Sequence, residues 1–145
     1  MYKHILIPTD GSELSDLAIL QGVDLARSIG AHVTIVTATP TFHALTVDPM
    51  MVTATPEIYR RECAAEAERR LSAGAAVARA AEVPCGTVHA ESDHPYEAII
   101  HTAAERKCDL IFMASHGRKG VSALLLGSET TKVLTHSKIP VLVCR

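Results

Sequence analysis

The sequence predicts an α/β protein in which helices cover both faces of an open, twisted parallel sheet. Four short apolar runs rich in Val, Ile and Leu, and a weaker strand pattern at residues 85–90, alternate with longer segments whose apolar residues recur at helical spacing. The first strand, helix and second strand fit within about 40 residues, and such a unit places neighbouring strands in parallel. Since 48% of the residues are hydrophobic and only 3% aromatic, the core is built from aliphatic side chains, as in layered folds.

Local signals set the bounds of these elements. The predicted strands cover residues 4–8, 33–38, 85–90, 110–113 and 139–144. The predicted helices cover residues 13–29, 56–82, 95–107 and 128–136. Gly30 follows the first helix where a C-terminal cap belongs, and Thr55 with Pro56 begins the second as N-cap and first helical residue. The segment from Ser92 to Pro95 has the same character and begins the third helix.

The second helix is long and rich in alanine, and its two faces differ. The residues expected on its core face are Cys63, Ala67, Leu71, Ala75 and Ala78. The charged residues expected on a solvated surface are Arg60, Glu66, Arg69 and Arg70.

Residues 40–53, which precede this helix, are more apolar than a solvated loop should be, because they include Phe42, Met50, Met51 and Val52. We expect this loop to fold back on its own domain. The alternative is a lid over a ligand or a contact with a partner.

Length, charge and cysteine use narrow the class of protein. The 145 residues predict a single domain over residues 1–145. A formal net charge of −2 without a run of like charge argues against nucleic-acid binding, and no apolar run approaches the roughly 20 residues of a membrane helix. The four cysteines form no C-x-x-C pair and the N-terminus shows no secretory leader, so we expect reduced thiols and a cytoplasmic protein.

The segment around Gly117 and Gly127 carries the clearest functional pattern. An apolar run ending at Met113 passes into a polar, glycine-rich loop, and Gly127 with Ser128 stands directly before a helical segment. The unpaired N–H groups and positive dipole of a helix N-terminus bind anions, and glycine lets a phosphate approach closely. The alternative is that these glycines only turn the chain between a strand and a helix.

A carboxylate is predicted at the same edge of the sheet. Strands one and four are natural neighbours, and their carboxyl ends carry Asp10 and the glycine-rich loop. In a sheet wound in both directions, ligands bind outside these strand ends, where the strand order reverses. Asp10 suits a sugar hydroxyl or a base edge, and it equally suits the N-cap of the first helix.

Catalytic and metal-binding motifs are not evident in the sequence. It has neither the phosphate loop G-x-x-x-x-G-K-[ST] nor the dinucleotide motif G-x-G-x-x-G. It also has no nucleophile elbow and no H-E-x-x-H zinc motif. Ser128 has no general base in sequence reach, and His116 is expected to pack against a phosphate or hydrogen-bond it. Glu97 and His101 lie four apart on a predicted helix, but two ligands do not close a metal site. The site is predicted to hold a ligand rather than convert it.

The spacing Ala114-x2-Gly117-x9-Gly127-Ser128 resembles the nucleotide-binding signature G-x2-G-x9-G-[ST] of the universal stress protein family. The likeness extends to the opening KHILIPTDGS, the SHGRKGVSALLLGS loop and the terminal KIPVLVCR. It implies a three-layer, Rossmann-like fold with strand order 3-2-1-4-5 and a homodimer formed through the last strand, Val141–Cys144. In members that keep the glycine motif, it also implies ATP or AMP bound between strands one and four.

The resemblance further implies which residues line the nucleotide site. Those at the adenosine end would be Pro8, Thr9 and Asp10, with Ala38 beside the base. Those of the floor and the phosphate turn would be Met113, Ala114, His116 and Gly117. Those of the phosphate-facing helix start would be Gly127, Ser128, Glu129 and Thr130. Ala114 replaces the first glycine of the signature, and we expect binding to be retained because alanine tolerates the negative φ of a strand end.

Three functions are compatible with the sequence. The leading hypothesis is a cytoplasmic, dimeric stress-response protein that binds ATP or AMP, with Mg²⁺ or Mn²⁺ held by the phosphates and not by a dedicated protein site. A nucleotide-independent scaffold that works through protein contacts is the first alternative. A slow ATP hydrolase is the second.

Overall fold

The computed structural model describes residues 1–43, 55–117 and 125–145. The strands within these ranges are β1 (His4–Pro8), β2 (His32–Thr39), β3 (Cys85–Glu91), β4 (Leu110–Ala114) and β5 (Val141–Cys144). The helices are α1 (Glu13–Ile29), α2 (Pro56–Ala80), α3 (Pro95–Glu105) and α4 (Ser128–His136). Strands and helices therefore alternate along the chain, as the sequence predicts.

The strands form one parallel sheet in the order β3-β2-β1-β4-β5, which confirms the expected topology. Alternate side chains of each strand face opposite sides, so the sheet has two apolar faces. One face packs against α1 and α2 through residues such as Ile7, Ile35 and Leu71. The other packs against α3 and α4 through residues such as Ile99 and Val133.

The ends of α1 and α2 follow from their local sequence. The Ser12 hydroxyl accepts a hydrogen bond from the Ser15 N–H at the start of α1, and Gly30 ends that helix with a φ of 69°, which glycine adopts at little cost. Thr55 caps α2 in the same way through the N–H of Ile58, and Pro56 occupies the first helical position.

The structure differs from the predicted bounds mostly by one or two residues. Helix α2 ends at Ala80, α3 ends at Glu105 and β5 begins at Val141, whereas the predictions extended these elements to residues 82, 107 and 139. Most of the apolar loop predicted over residues 40–53 lies outside the described residues. The same holds for residues 118–124 of the glycine-rich loop.

The N-terminus of α3 is capped differently from the prediction. His94 is the N-cap residue and makes no side-chain capping bond. The Glu129 carboxylate of α4 accepts a hydrogen bond from the Tyr96 N–H at 2.8 Å instead. A first-turn donor of α3 is thus satisfied from another helix, which local sequence does not reveal. Along the described ranges, none of the helices combines the length and the apolar character that crossing a bilayer requires.

Candidate functional site

A cleft of about 480 Å³ opens at the carboxyl ends of β1, β2 and β4. The chain runs from β1 outward to β3 on one side and then from β4 to β5 on the other, so this is where the strand order reverses. The volume falls in the range of small-molecule sites. Every residue predicted for the nucleotide site lines this cleft: Pro8, Thr9, Asp10, Ala38, Met113, Ala114, His116, Gly117, Gly127, Ser128, Glu129 and Thr130. Their shared position is observed, and their part in binding stays a prediction.

One wall of the cleft is apolar. Val36 of β2, Met113 of β4 and Ile99 of α3 are buried and line it, with Pro8 and Ala38 beside them at the ends of β1 and β2. Val36, Met113 and Ile99 belong to the core cluster on the α3 side of the sheet. The wall is therefore fixed by core packing, and it suits a flat apolar ring such as a nucleobase.

Thr9 holds the loop that follows β1. Its N–H donates to the Val36 carbonyl at 2.8 Å, and its carbonyl accepts from the Thr37 hydroxyl at 2.7 Å. Its own hydroxyl accepts from the Gly11 N–H at 3.2 Å and lies 3.1 Å from the Ser15 hydroxyl. The Thr9 side chain is consequently engaged in hydrogen bonds within the protein, and these bonds hold the loop that carries Asp10.

Asp10 is not the N-cap of α1, because Ser12 takes that position. Its Oδ1 accepts a hydrogen bond from the Ser12 N–H at 3.0 Å. Its Oδ2 lies so close to Gly117 that a Cβ built on that glycine would overlap it. The carboxylate is thus held between the β1–α1 loop and the loop that follows β4.

Gly127 brings the start of α4 against the end of β4. Its N–H donates to the Ser115 carbonyl at 2.8 Å, and a Cβ built on it would lie 2.9 Å from the His116 Cα. The two backbones therefore approach too closely for a side chain. The packing of the protein itself therefore requires glycine at position 127, apart from the predicted access for a phosphate.

The N-terminus of α4 also lines the cleft. Its N-cap, Gly127, has no side chain to satisfy the first-turn N–H groups, and the first intrahelical bond joins the Thr131 N–H to the Gly127 carbonyl. The N–H groups of Ser128, Glu129 and Thr130 precede that bond, so they have no intrahelical acceptor. This helix start has the donors and the dipole that favour an anion.

The side chains of Glu129 and Thr130 are engaged within the protein. The Glu129 carboxylate accepts from the Tyr96 N–H and lies 3.2 Å from the Lys132 Nζ. The buried Thr130 hydroxyl donates to the Ala114 carbonyl at 2.9 Å. Any contact of these two residues with a phosphate would accordingly come from their backbone N–H groups.

His116 and Ala114 complete the end of β4. The His116 Nδ1 lies 3.1 Å from the hydroxyl of Ser115, a bond whose direction depends on the imidazole tautomer. Ala114 is buried and its side chain belongs to the core cluster on the α1 side of the sheet. The described residues contain no group of three or more His, Cys, Asp or Glu placed to hold a metal ion.

The cleft also contains residues that the sequence pattern does not predict for it: Ser15, Val36, Pro40, Arg70, Ser92, Asp93, Pro95 and Ile99. The prediction that Arg70 lies on a solvated surface is wrong, because its side chain is only 13% exposed. Arg70 follows the buried Ala67 by three positions and precedes the buried Gly74 by four. That helical spacing was the available signal that Arg70 lies on the packed side of α2.

Comparison with known proteins places the chain in a family. The model of the Universal stress protein family matches residues 1–145. This chain is a member of the universal stress protein family. A universal stress protein of Methanocaldococcus jannaschii is 30% identical over 149 residues, covering 100% of this chain and 83% of that protein. One from Thermus aquaticus is 30% identical over 145 residues, covering 100% of both chains.

Solved universal stress proteins share the fold described above. UspA from Lactobacillus plantarum superposes with a TM-score of 0.80 at 24% identity, covering 99% of this chain and 98% of that one. A universal stress protein in complex with cAMP has a TM-score of 0.68 at 24% identity, with coverages of 99% and 97%. The protein from Archaeoglobus fulgidus in complex with dAMP has a TM-score of 0.73 at 18% identity, with coverages of 99% and 98%.

Proposed function

We propose that this universal stress protein binds an adenine nucleotide, ATP or AMP, in the cleft and acts as a dimeric, cytoplasmic regulatory protein in stress responses. One observation carries the proposal. At the reversal of strand order, one cleft contains both an apolar slot, lined by Val36, Met113 and Ile99, and a helix start whose first-turn N–H groups have no side-chain cap. A nucleotide has the matching parts, because its base is flat and largely apolar and its phosphates are anionic.

The shape of the cleft favours one orientation of the ligand. The base lies against Val36 and Met113, and the ribose hydroxyls donate to the Asp10 carboxylate. The phosphates extend toward Gly117 and the N-terminus of α4. A divalent cation, Mg²⁺ or Mn²⁺, is carried by the phosphates and strengthens binding by reducing their charge.

The solved relatives give independent support. Two universal stress proteins with this fold have been solved with cAMP and with dAMP, and both ligands are adenine nucleotides. Their identity to this chain is low, so the proposal rests first on the residues that line its own cleft. The likeness supports the class of ligand and not the choice among ATP, AMP and cyclic AMP.

Binding is tested by calorimetry on the purified protein after bound small molecules have been extracted and identified. We expect ATP or AMP to bind with a micromolar Kd, which corresponds to about −6 to −8 kcal/mol. Pyrophosphate, which lacks base and sugar, is the matched ligand control and should bind at least about tenfold more weakly, since it forgoes the apolar slot. No uptake of ATP, AMP or cyclic AMP at millimolar concentration would overturn the proposal and favour the scaffold.

The dimer is proposed through β5, which lies at one edge of the sheet. Leu142 in this strand is 40% exposed, and Leu134 of the adjacent helix α4 is exposed as well. An apolar edge strand without charge is a template for pairing, and a two-fold axis makes the pairing antiparallel and self-complementary.

A further inference from the structure

Arg70 reaches the nucleotide cleft from α2, the helix that contributes no residue to the glycine motif. Its Nη1 donates to the Thr37 hydroxyl at 3.3 Å, and its Nε donates to the Glu66 carboxylate at 3.1 Å. A Cβ built on Gly11 would lie 3.2 Å from the Arg70 Nε, so the guanidinium packs directly over that glycine. Arg70 therefore lines the cleft beside the loop that carries Asp10.

Arg70 shares its ion-pair partner with a second arginine. The Glu66 carboxylate is shared between Arg70 and Arg69, so two cations face one anion. Hydrogen bonds from Arg69, and then from Arg70, lower the pKa of Glu66 and keep it ionised. Arg69 is 69% exposed, and its charge is solvated. The Arg70 side chain is 13% exposed, and the residue lines the cleft.

The guanidinium also has donors to spare. An arginine side chain carries five N–H donors in a planar fork. Two hydrogen bonds to described acceptors account for two of them, at Thr37 and Glu66. The planar fork suits an oxyanion with two acceptor oxygens better than an ammonium group would.

Two carboxylates of the cleft, Asp93 and Glu129, are held by other partners, and the third, Asp10, accepts a hydrogen bond from the Ser12 N–H. Asp93 accepts from the Thr41 hydroxyl at 2.8 Å and pairs with His43 at 2.7 Å, and these bonds lower the pKa of Asp93. Glu129 accepts from the Tyr96 N–H. Neither Asp93 nor Glu129 forms an ion pair with Arg70 in the described structure, where Arg70 pairs with Glu66.

We infer that Arg70 is a ligand-binding residue of this site and that its guanidinium contacts an anionic phosphate group of the bound nucleotide. The inference rests on the proposed nucleotide function and extends it, because it assigns recognition of the ligand's charge to a side chain outside the glycine motif. It also makes the class of ligand a phosphorylated nucleoside, in preference to the nucleoside itself.

The experiment compares Arg70→Gln with Arg69→Gln, a matched control that removes the neighbouring charge and the other partner of Glu66. Calorimetry with ATP, AMP and adenosine is carried out on both variants and on the unmodified protein. We expect Arg70→Gln to weaken ATP and AMP by about 10-fold to 100-fold and to change adenosine by less than about threefold. Arg69→Gln should leave all three affinities within about threefold of those of the unmodified protein.

Arg70→Lys keeps the charge and the aliphatic stem over Gly11. It provides a second test of the inference if Arg70→Gln does not fold. We expect it to bind AMP more weakly than the unmodified protein and more tightly than Arg70→Gln. Equal losses for adenosine and AMP in both variants would mean that Arg70 only positions the β1–α1 loop, and they would overturn the inference. Unchanged AMP affinity in Arg70→Gln would overturn it too. If the unmodified protein bound neither ATP nor AMP, the proposed function itself would fail, and the inference with it.

Discussion

A side chain at Gly117 would meet the Asp10 carboxylate, and a side chain at Gly127 would meet the backbone of His116. The two glycines belong to one spacing motif, yet they make room for different neighbours. Asp10 Oδ2 is the end of a side chain and can move, whereas the His116 backbone is fixed at the end of β4. A substitution at Gly117 should therefore displace a predicted ligand contact, and one at Gly127 should strain the fold.

A second feature at the scale of single residues lies at the opposite end of the sheet. His4 stacks on His32 with ring centroids 3.8 Å apart, and its Nε2 lies 2.8 Å from the Thr34 hydroxyl. Burial, and then the neighbouring His32, lower the pKa of His4 below 6.5, although Asp109 and an Arg106 backbone group act in the other direction. The folded protein thus takes up a proton at His4 less readily than the unfolded chain does.

This difference predicts a loss of stability in mild acid. Above pH 6.5, His4 is mostly neutral in the folded and the unfolded protein. Its contribution to the free energy of unfolding is then fully present. As the pH falls below 6.5, the unfolded chain binds the proton first, so the free energy of unfolding decreases until the lower folded pKa is reached. Urea titrations between pH 7.5 and 5.5 should show this decrease as a slope of the free energy of unfolding against pH. His4→Gln should reduce that slope.

The control for this prediction is His101→Gln, which removes an exposed histidine of α3. It should leave the slope as it is in the unmodified protein. A His4→Gln variant with an undiminished slope would assign the acid sensitivity to other groups.

At the scale of elements, β5 presents its two sides to different partners. The Ile111 N–H donates to the Pro140 carbonyl, and the Ser115 N–H donates to the Cys144 carbonyl. Backbone groups of alternate residues point to the same side of a strand, so those of Leu142 also face β4. The backbone groups of Val141 and Val143 consequently face the open edge, where the second chain of the proposed dimer would pair.

Val143→Pro tests the proposed dimer at that edge. It removes an N–H that faces outward and leaves the bonds between β4 and β5 in place. We expect light scattering to report a monomer for this variant and a dimer for the unmodified protein. The contrasting variant is Leu142→Pro, which should lower the melting temperature because it removes a bond within the protein's own sheet.

Thr87→Pro is the matched control on the opposite edge strand, β3. The Val33 N–H donates to the Pro84 carbonyl, so the backbone of Thr87 faces outward as that of Val143 does. This variant should remain a dimer. An intact dimer in Val143→Pro would place the interface elsewhere, and a monomeric unmodified protein would end the dimer proposal.

Helix α2 shows why some contacts were accessible from sequence and others were not. Thr55 and Pro56 predict its start because capping depends on the nearest few residues. The charge of Arg70 predicts a position in solvent, whereas its spacing from the buried Ala67 and Gly74 puts it on the packed side of the helix. Whether a long side chain on that side reaches a cleft depends on how α2 packs across β2, which local sequence does not specify.

For the whole molecule, the order of the strands is more predictable from sequence than the contacts between distant side chains. Apolar runs such as Leu110–Ala114 predict a buried parallel sheet, and the right-handed crossover rule limits how such strands can be ordered. The edge that carries the cleft follows from that order. The capping of α3 by Glu129 did not follow, because it joins residues that are 33 positions apart. The same limit applies to Asp10 and Gly117, which meet only after β1 and β4 have paired.

The central claim is that the cleft binds nucleotide with Asp10 and the loop at Gly117 as parts of the site. Its most direct test is the ATP affinity of Gly117→Val, measured by calorimetry with the melting temperature of the same preparation. Gly117 is exposed at the end of β4, so we expect the fold to survive. The valine should displace the Asp10 carboxylate and weaken ATP by at least about 2 kcal/mol, or roughly 30-fold. An unchanged ATP affinity in the folded variant would contradict the claim.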